Sequence, residues 1–174
     1  MMNELNYGIS PKGVGCVKTL KLFRQKISRV LISVSDKSGI KSLSKELSDK
    51  NIEIISTGGT SRVISDAGVT VRSVDEVTNF PEMMGGRVKT LHPLIFGGIL
   101  GRDSDQEEMA KYSIEKIDMV VCNLYPFRKA AEKGVDLDSL IEEIDIGGPS
   151  LLRAASKNHS RVSVVTDPGD YGWI

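Results

Sequence analysis

The stretch RVLISVSDKSGI, residues 29–40, decides the fold class. After its first residue comes a continuous run of Val, Leu, Ile and Ser, which is typical of a buried parallel β-strand. The polar turn DKSG follows, and the next segment carries Ile40, Leu43 and Leu47 at three- and four-residue spacing. This spacing makes one apolar stripe and predicts an amphipathic helix. The stretch therefore predicts a strand that leads through a polar turn into a helix.

The same alternation of strand and helix continues along the chain. Four more apolar runs predict strands: IEIIST, VTVRSV, DMVVCNLY and RVSVVT. Helices are predicted in SRVISDAG, SDQEEMAKYSIEKI, DLDSLIEEI and PSLLRAASKNH, the second opened by a capping-box pattern of Ser104 and Glu107. Repeated strand–helix–strand units predict an α/β fold with a parallel sheet and helices on both faces. Because such sheets bind ligands at the carboxyl ends of their strands, the residues just after each strand are the candidate site.

The composition is that of one ordinary globular domain. The chain has 174 residues, 40% of them hydrophobic, and equal numbers of basic and acidic residues, 23 each. A balanced charge provides no global field for nucleic acid or an acidic membrane, and no apolar run approaches the roughly 20 residues of a membrane span. Cys16 and Cys122 lie far apart, which favours a reduced cytoplasmic protein. The two histidines are also far apart and predict no metal site.

The beginning of the chain is unusually basic. Between Glu4 and Asp36 there is no acid, while the basic residues are Lys12, Lys18, Lys21, Arg24, Lys26 and Arg29. We expect residues 1–28 to be an N-terminal extension, either disordered or a wrongly assigned start, with a targeting segment as the alternative. The folded domain is expected to occupy residues 29–174.

Polar residues follow the first two predicted strands. Ser35, Asp36 and Lys37 come after the first strand, and TGGT, residues 57–60, comes after the second. A helix N-terminus offers N–H donors and a partial positive charge, and glycines let the backbone approach an oxyanion. Each motif taken singly is better explained as a helix cap or a tight turn. Together, after consecutive strands, they predict two sides of one phosphate-binding site.

The segment DEVTNFPEMMGGRVKTLHP, residues 75–93, has neither a helical nor a strand period. Loops of this length in compact domains are usually functional or disordered. Its phenylalanine, prolines and methionines indicate that it packs, which would hold Arg87, Lys89 and His92 in place. The alternative is a basic loop that is simply solvated.

Two further groups of residues could carry chemistry. Asn123 and Tyr125 follow the strand DMVVCN; Asn can both donate to and accept from a carboxamide, or it can form a turn. Farther along, Arg153 and Lys157 lie four apart on one predicted helix, where like charges repel unless a negative group is near. Asp145 could be that group, and an acid beside a lysine is a recurring arrangement for proton transfer. The alternative is a helix face turned to water.

In order along the chain, SVSDKSGI, STGGT, FPEMMGGRVKTLHP, CNLYPF and IDIGGPSLLRAASKNH resemble the motifs of the IMP cyclohydrolase domain of the bifunctional enzymes AICAR transformylase/IMP cyclohydrolase. The resemblance runs from about residue 29 to the end. It implies a methylglyoxal-synthase-like fold, a homodimer, and dehydrative ring closure of 5-formamidoimidazole-4-carboxamide ribonucleotide (FAICAR) to IMP. It also implies that the cyclohydrolase domain is truncated at its C-terminus and that the transformylase domain is absent, so folate-dependent formyl transfer is not expected.

The resemblance implies a role for each matching residue. Lys89 is similar to the family's transition-state stabiliser, Tyr125 to a tyrosine near the reacting groups, and Lys157 to a lysine that transfers a proton with Asp145 as its partner. No metal ion and no cofactor is implied. The substrate-binding positions are Ser35, Asp36, Lys37, Thr57, Gly58, Gly59, Thr60, Arg87, Val88, Lys89 and Thr90, with contacts to the base at Cys122, Asn123, Asp145 and Ile146.

Two other functions remain compatible with the phosphate-binding motifs. A methylglyoxal synthase would release phosphate from a triose, but it would leave the motifs NLYPF and RAASKNH without a role. A nucleotide-sensing domain of the same fold would bind a nucleotide without turnover, and would need no proton-transfer pair. The presence of Lys89, Tyr125, Asp145 and Lys157 favours catalysis over both.

Overall fold

The computed structural model describes residues 26–174, so Cys16 and most of the predicted N-terminal extension lie outside the described residues. The described part contains one parallel sheet of five strands in the order β3-β2-β1-β4-β5. The five runs predicted as strands each contribute one strand. The strands are β1 (Arg29–Val34), β2 (Glu53–Ser56), β3 (Arg72–Ser73), β4 (Met119–Asn123) and β5 (Ser163–Val165).

Helices connect the strands, together with three short 3-10 turns. None of the helices between residues 26 and 174 has the length and apolarity that crossing a bilayer requires. The helices are α1 (Ile40–Asp49), α2 (Gly58–Ser65), α3 (Val74–Thr78), α4 (Pro93–Leu100), α5 (Gln106–Lys111), α6 (Phe127–Glu132), α7 (Leu137–Glu142) and α8 (Gly147–Lys157).

The sheet is buried on both faces, as the apolar strand runs predict. Alternate residues of β1 point to opposite sides, so Val30 and Ile32 belong to one apolar cluster and Leu31 to the other. The first cluster includes apolar residues of α1 and α2, and Tyr171 from the C-terminal 3-10 turn. The second includes residues of α4 and α8. The predicted α/β architecture with helices on both faces is therefore confirmed.

The predicted start of the third helix is wrong. Helix α5 begins at Gln106, after a 3-10 turn over Asp103–Asp105, and Ser104 does not cap it. The carboxylate of Asp105 instead accepts hydrogen bonds from the backbone N–H and the guanidinium of Arg102, at 2.8 and 2.9 Å. This charged pair caps the 3-10 turn, and α5 begins only after that turn, two residues beyond Ser104.

The long segment after β3 is more ordered than its sequence predicts. It starts with α3, whose first turn is capped reciprocally by Ser73 and Glu76. An antiparallel bridge between Met83 and Val88 closes the two-glycine turn. At its end, Nδ1 of His92 accepts a hydrogen bond from the backbone N–H of Leu94 and caps α4. The segment that carries Arg87 and Lys89 is thus fixed at both ends.

Candidate functional site

A cavity of about 490 Å³ lies at the carboxyl ends of β1, β2 and β4. This is the edge at which a parallel α/β sheet binds its ligands. Turns from distant parts of the sequence form its walls, and they bring together most of the residues predicted to form the site. The predicted residues that line it are Ser35, Lys37, Thr57, Gly58, Gly59, Thr60, Arg87, Lys89, Thr90, Asn123, Tyr125, Asp145 and Ile146.

Three predicted binding residues do not line the cavity: Asp36, Val88 and Cys122. The exposed carboxylate of Asp36 accepts a hydrogen bond from its neighbour Ser38, and the hydrogen bonds from Ser38 lower the pKa of Asp36. Val88 forms the bridge that closes the glycine turn. The thiol of Cys122 is buried, and this burial, with a smaller effect of Asp145, raises its pKa to about 12. Cys122 therefore stays a neutral thiol and serves the site as packing beneath the wall.

The prediction that Asp145 contacts Lys157 is wrong for a single chain, because the two residues lie at opposite ends of α8. Asp145 precedes the first turn of α8, whereas Lys157 is the exposed last residue of this 11-residue helix. At a rise of about 1.5 Å per residue, the helix separates the two positions by roughly 15 Å. Asp145 instead accepts a hydrogen bond from the backbone N–H of Gly148 at 2.8 Å, through Oδ1. Its carboxylate therefore faces the cavity from the N-terminal end of α8.

Asn123 holds the turn that follows β1. Its side-chain oxygen accepts hydrogen bonds from the backbone N–H groups of Ser35 and Asp36, at 2.7 and 2.8 Å. Its amide nitrogen donates to the carbonyl of Asp36 at 3.0 Å. The carboxamide thus bonds the chain itself, and it connects the end of β4 to the end of β1. Asn123 positions the turn that carries Lys37.

The TGGT turn is anchored to the same edge of the sheet. The buried hydroxyl of Thr60 donates to the carbonyl of Val34 at 3.0 Å and lies 3.4 Å from the Val34 N–H. Gly58 begins α2 at a φ of +45°, a conformation that side chains disfavour. A Cβ at Gly58 would also lie 3.2 Å from Nζ of Lys89. The absence of a side chain therefore lets the amino group of Lys89 approach the N-terminus of α2.

Lys89 and Arg87 enter the cavity with a carboxylate partner each. Nζ of Lys89 lies 3.1 Å from Oε1 of Glu82. The pair passes over Gly86, where a Cβ would come within 2.6 Å of the Glu82 oxygen. Arg87 forms an ion pair with Glu142 of α7, and this pairing raises the pKa of Arg87 and lowers the pKa of Glu142. Both pairs are partly exposed, so a stronger anion can replace the carboxylates.

Tyr125 and Thr90 add two hydroxyl groups to the cavity lining. The side chain of Tyr125 is 56% exposed at the cavity mouth, just after β4. Thr90 is buried in the wall, and its hydroxyl packs close to Gly147 at the start of α8. The cavity lining therefore combines cations and helix N-termini with a phenol and a carboxylate.

Several wall residues were missed from the sequence. They belong to α7, to the turn after it, or to positions next to predicted ones, and nothing in their spacing marks them. Glu142 is the most important, because its role depends on a partner that lies far away in the sequence. The missed residues are Ser33, Val34, Gly85, Gly86, Leu91, Ile141, Glu142, Ile144, Gly147 and Gly148.

Comparisons with known proteins agree on one family. The profile of the MGS-like domain family matches residues 39–150. A Bifunctional purine biosynthesis protein PurH from a Ruegeria species is 53% identical over 85% of this chain, and one from Sorangium cellulosum is 56% identical over 85%. The chain spans only 28% and 29% of the lengths of these two relatives. A crystal structure of ForH superposes with a TM-score of 0.73 at 38% identity, covering 83% of this chain and 74% of that one.

Proposed function

Since the chain belongs to the MGS-like domain family, we propose that it is an IMP cyclohydrolase, which closes the ring of FAICAR with loss of water to give IMP. The proposal places the chain in purine biosynthesis, as the name of its relatives indicates. The observation that carries it is the convergence of Lys37, Lys89, Tyr125 and Asp145 on one cavity. A cavity of about 490 Å³ is also within the range typical of sites for small molecules of nucleotide size.

The phosphate of the nucleotide would bind between the turns after β1 and β2. The first N–H groups of α2 lack partners within the helix and carry its partial positive charge. Lys37 lies beside them, since a Cβ at Gly59 would be 3.6 Å from Cε of Lys37. Backbone donors at a helix start with a lysine next to them are a recurring phosphate site. The site thus anchors the end of the substrate that does not react.

The reaction itself requires proton transfer in two directions. The carboxamide nitrogen attacks the formyl carbon, and the formyl oxygen becomes an oxyanion that needs stabilisation. That oxygen then leaves as water, with one hydrogen from the carboxamide nitrogen and one from the formamide nitrogen. A base must accept a proton from nitrogen, and an acid must deliver one to the departing oxygen.

The groups in the cavity match these requirements. Oδ1 of Asp145 is held by Gly148 N–H, which leaves Oδ2 to accept a proton from the attacking nitrogen. Lys89 and Tyr125 also line the cavity. In this proposal Lys89 provides the positive charge for the oxyanion, and the hydroxyl of Tyr125 donates a proton to the departing oxygen. Lys157 has no step in this scheme, because it lies at the far end of α8. The predicted homodimer and cytoplasmic location stay predictions.

The test is to mix the purified chain with FAICAR and follow IMP formation by absorbance. We expect turnover by the wild type, and a loss of about 10²–10³ in kcat for Lys89→Ala, the cost of removing one oxyanion-stabilising group. Lys45→Ala, an exposed position on α1, is the matched control and should keep full activity. Binding of IMP without turnover by the wild type would instead indicate the sensing function. Release of inorganic phosphate from dihydroxyacetone phosphate would indicate a methylglyoxal synthase.

A further inference from the structure

Helices α6 and α7 lie beside the cavity with little anchoring in the core. Neither helix contains a buried residue. On α7, the side chains of Leu137 and Ile141 are 70% and 46% exposed. Nevertheless Ile141 and Glu142 line the cavity. Burial of apolar side chains therefore does not explain the position of α7, and its polar contacts must contribute.

The main polar contact between α7 and the glycine turn is the ion pair of Glu142 with Arg87. Both carboxylate oxygens take part: Oε1 accepts from Nη2 of Arg87, and Oε2 accepts from Nε at 3.3 Å. This two-pronged geometry is the one in which a guanidinium also binds a phosphate or a carboxylate of a ligand. Glu142 therefore occupies the face of Arg87 that an anionic ligand would use.

The other ion pair in the cavity is different in one respect. Glu82 and Lys89 belong to the same segment, seven positions apart, and their contact joins no separate elements. Arg87 and Glu142 are 55 positions apart, and their contact joins the glycine turn to α7. A ligand that displaces Glu82 would leave the architecture unchanged. A ligand that displaces Glu142 would remove the polar contact that holds α7 against the turn.

We propose that Glu142 is an internal competitor for the anionic ligand of Arg87, and that their ion pair is a latch that holds α7 at the cavity until the ligand opens it. This inference rests on the proposed function, and it adds Arg87 to the groups that bind the nucleotide phosphate beside the N-terminus of α2 and Lys37, which the Arg87 segment adjoins through Lys89. It makes Glu142 a specificity-determining residue, since a neutral analogue of the nucleotide cannot replace the carboxylate on the guanidinium.

The binding test compares Glu142→Gln with Glu143→Gln. The two variants lose the same charge from neighbouring positions at the end of α7, but only Glu142 bonds Arg87 and lines the cavity. Calorimetric titration with IMP at low ionic strength should show about two- to fivefold tighter binding for Glu142→Gln, the range of an exposed ion pair. The gain should shrink as salt screens the pair. Glu143→Gln should bind like the wild type.

Hydrogen exchange of the α7 backbone amides is the second measurement, and it needs no ligand. The amides of residues 137–142 should exchange faster in Glu142→Gln than in the wild type or Glu143→Gln. In the wild type, IMP should accelerate the same amides; in Glu142→Gln it should add little. Equal gains in both variants, or weaker binding by Glu142→Gln, would overturn the latch.

The two readouts also separate this inference from the proposed function. If IMP binds to none of the proteins, the proposed function fails, while ligand-free exchange of α7 still decides whether Glu142 holds the helix. Unchanged exchange in Glu142→Gln overturns the latch even if the chain forms IMP from FAICAR.

Discussion

Two arginines, Arg161 at the amino ends of the strands (the amino edge of the sheet) and Arg87 at their carboxyl ends (the carboxyl edge), are held in opposite ways. At the amino edge, Arg161 is 5% exposed and donates to the carbonyls of Gly98, Ile99, Gly101 and Ile117. At the carboxyl edge, the side chain of Arg87 is 62% exposed and its partner is a single exposed carboxylate. A guanidinium bonded to fixed backbone carbonyls cannot exchange its partners, whereas one paired with an exposed side chain can. The first arrangement stabilises the fold, and the second is available for a ligand.

The largest expected effect is on stability, from Arg161→Met. The substitution would leave the buried carboxylate of Asp118, 3.5 Å from Arg161, without its cation and several carbonyls without donors. Breaking a buried ion pair by removing one partner costs about 3–5 kcal/mol. Urea unfolding followed by circular dichroism measures this loss, with the exposed Arg153→Met on α8 as the control. A loss below about 1 kcal/mol would show that the amino edge is no more fixed than the carboxyl edge.

Burial of Arg161 has a further consequence for its charge. Removal from water lowers the pKa of the guanidinium, and the nearby carboxylate of Asp118 opposes this effect. Asp118 also accepts hydrogen bonds from the backbone N–H groups of Ser28 and Arg29, at 2.9 and 3.1 Å. The cluster therefore joins β5, β4 and the start of β1. Its effect on the fold extends beyond the single ion pair.

Much of the fold could be predicted from the sequence, and the exceptions have identifiable causes. The five strands follow from runs of apolar residues, because both faces of the sheet are buried. Helix α4 was missed because PLIFGGIL is apolar nearly throughout and has no polar face to reveal a period. Its Gly98 marks a close approach instead, since a Cβ there would lie 2.5 Å from the carbonyl of Glu115.

The site, like the fold, could be predicted from the sequence only in part. The turns after β1, β2 and β4 could be predicted because their residue types suit phosphate binding and they follow strands. The partners of the charged residues could not, since Arg87 meets Glu142 across 55 positions. Arg161 gave no signal either; in the sequence it is only a charge before an apolar run. Ion pairs between distant segments depend on packing, which neither spacing nor composition encodes.

Asn123→Ala should have an intermediate effect, on ligand binding. Asn123 lies at the carboxyl edge, where the ion pairs can exchange partners, but its own side chain bonds fixed backbone groups. Its three hydrogen bonds hold the turn of Ser35 and Asp36. Their loss should weaken IMP binding about tenfold, which corresponds to about 1.4 kcal/mol, a typical net value for one or two such bonds. Calorimetric titration measures the affinity.

A structural readout distinguishes this positioning role from a direct contact with the base. In Asn123→Ala, the backbone amide of Asp36 should exchange faster with solvent. The amide of Ser35, which also donates to the backbone carbonyl of Asn123 at 3.4 Å, and that of Ile40, which donates to the carbonyl of Lys37 at 3.2 Å, should change less. Weaker binding with unchanged exchange at Asp36 would mean that Asn123 acts on the ligand itself.

The smallest expected effect is that of Lys157→Ala, which tests whether the residues of one chain are sufficient to form the site. Lys157 is exposed at the end of α8, about 15 Å along the helix from the position of Asp145. If the site is formed within one chain, Lys157→Ala should turn over FAICAR at a rate within about threefold of the wild type, a change of roughly 0.6 kcal/mol in activation free energy. If Lys157→Ala loses turnover as completely as Lys89→Ala, the lysine must reach reacting groups that its own chain does not place beside it. Mixing inactive Lys157→Ala with inactive Lys89→Ala would then decide the matter, because recovered activity requires one chain to supply its lysine to the cavity of another.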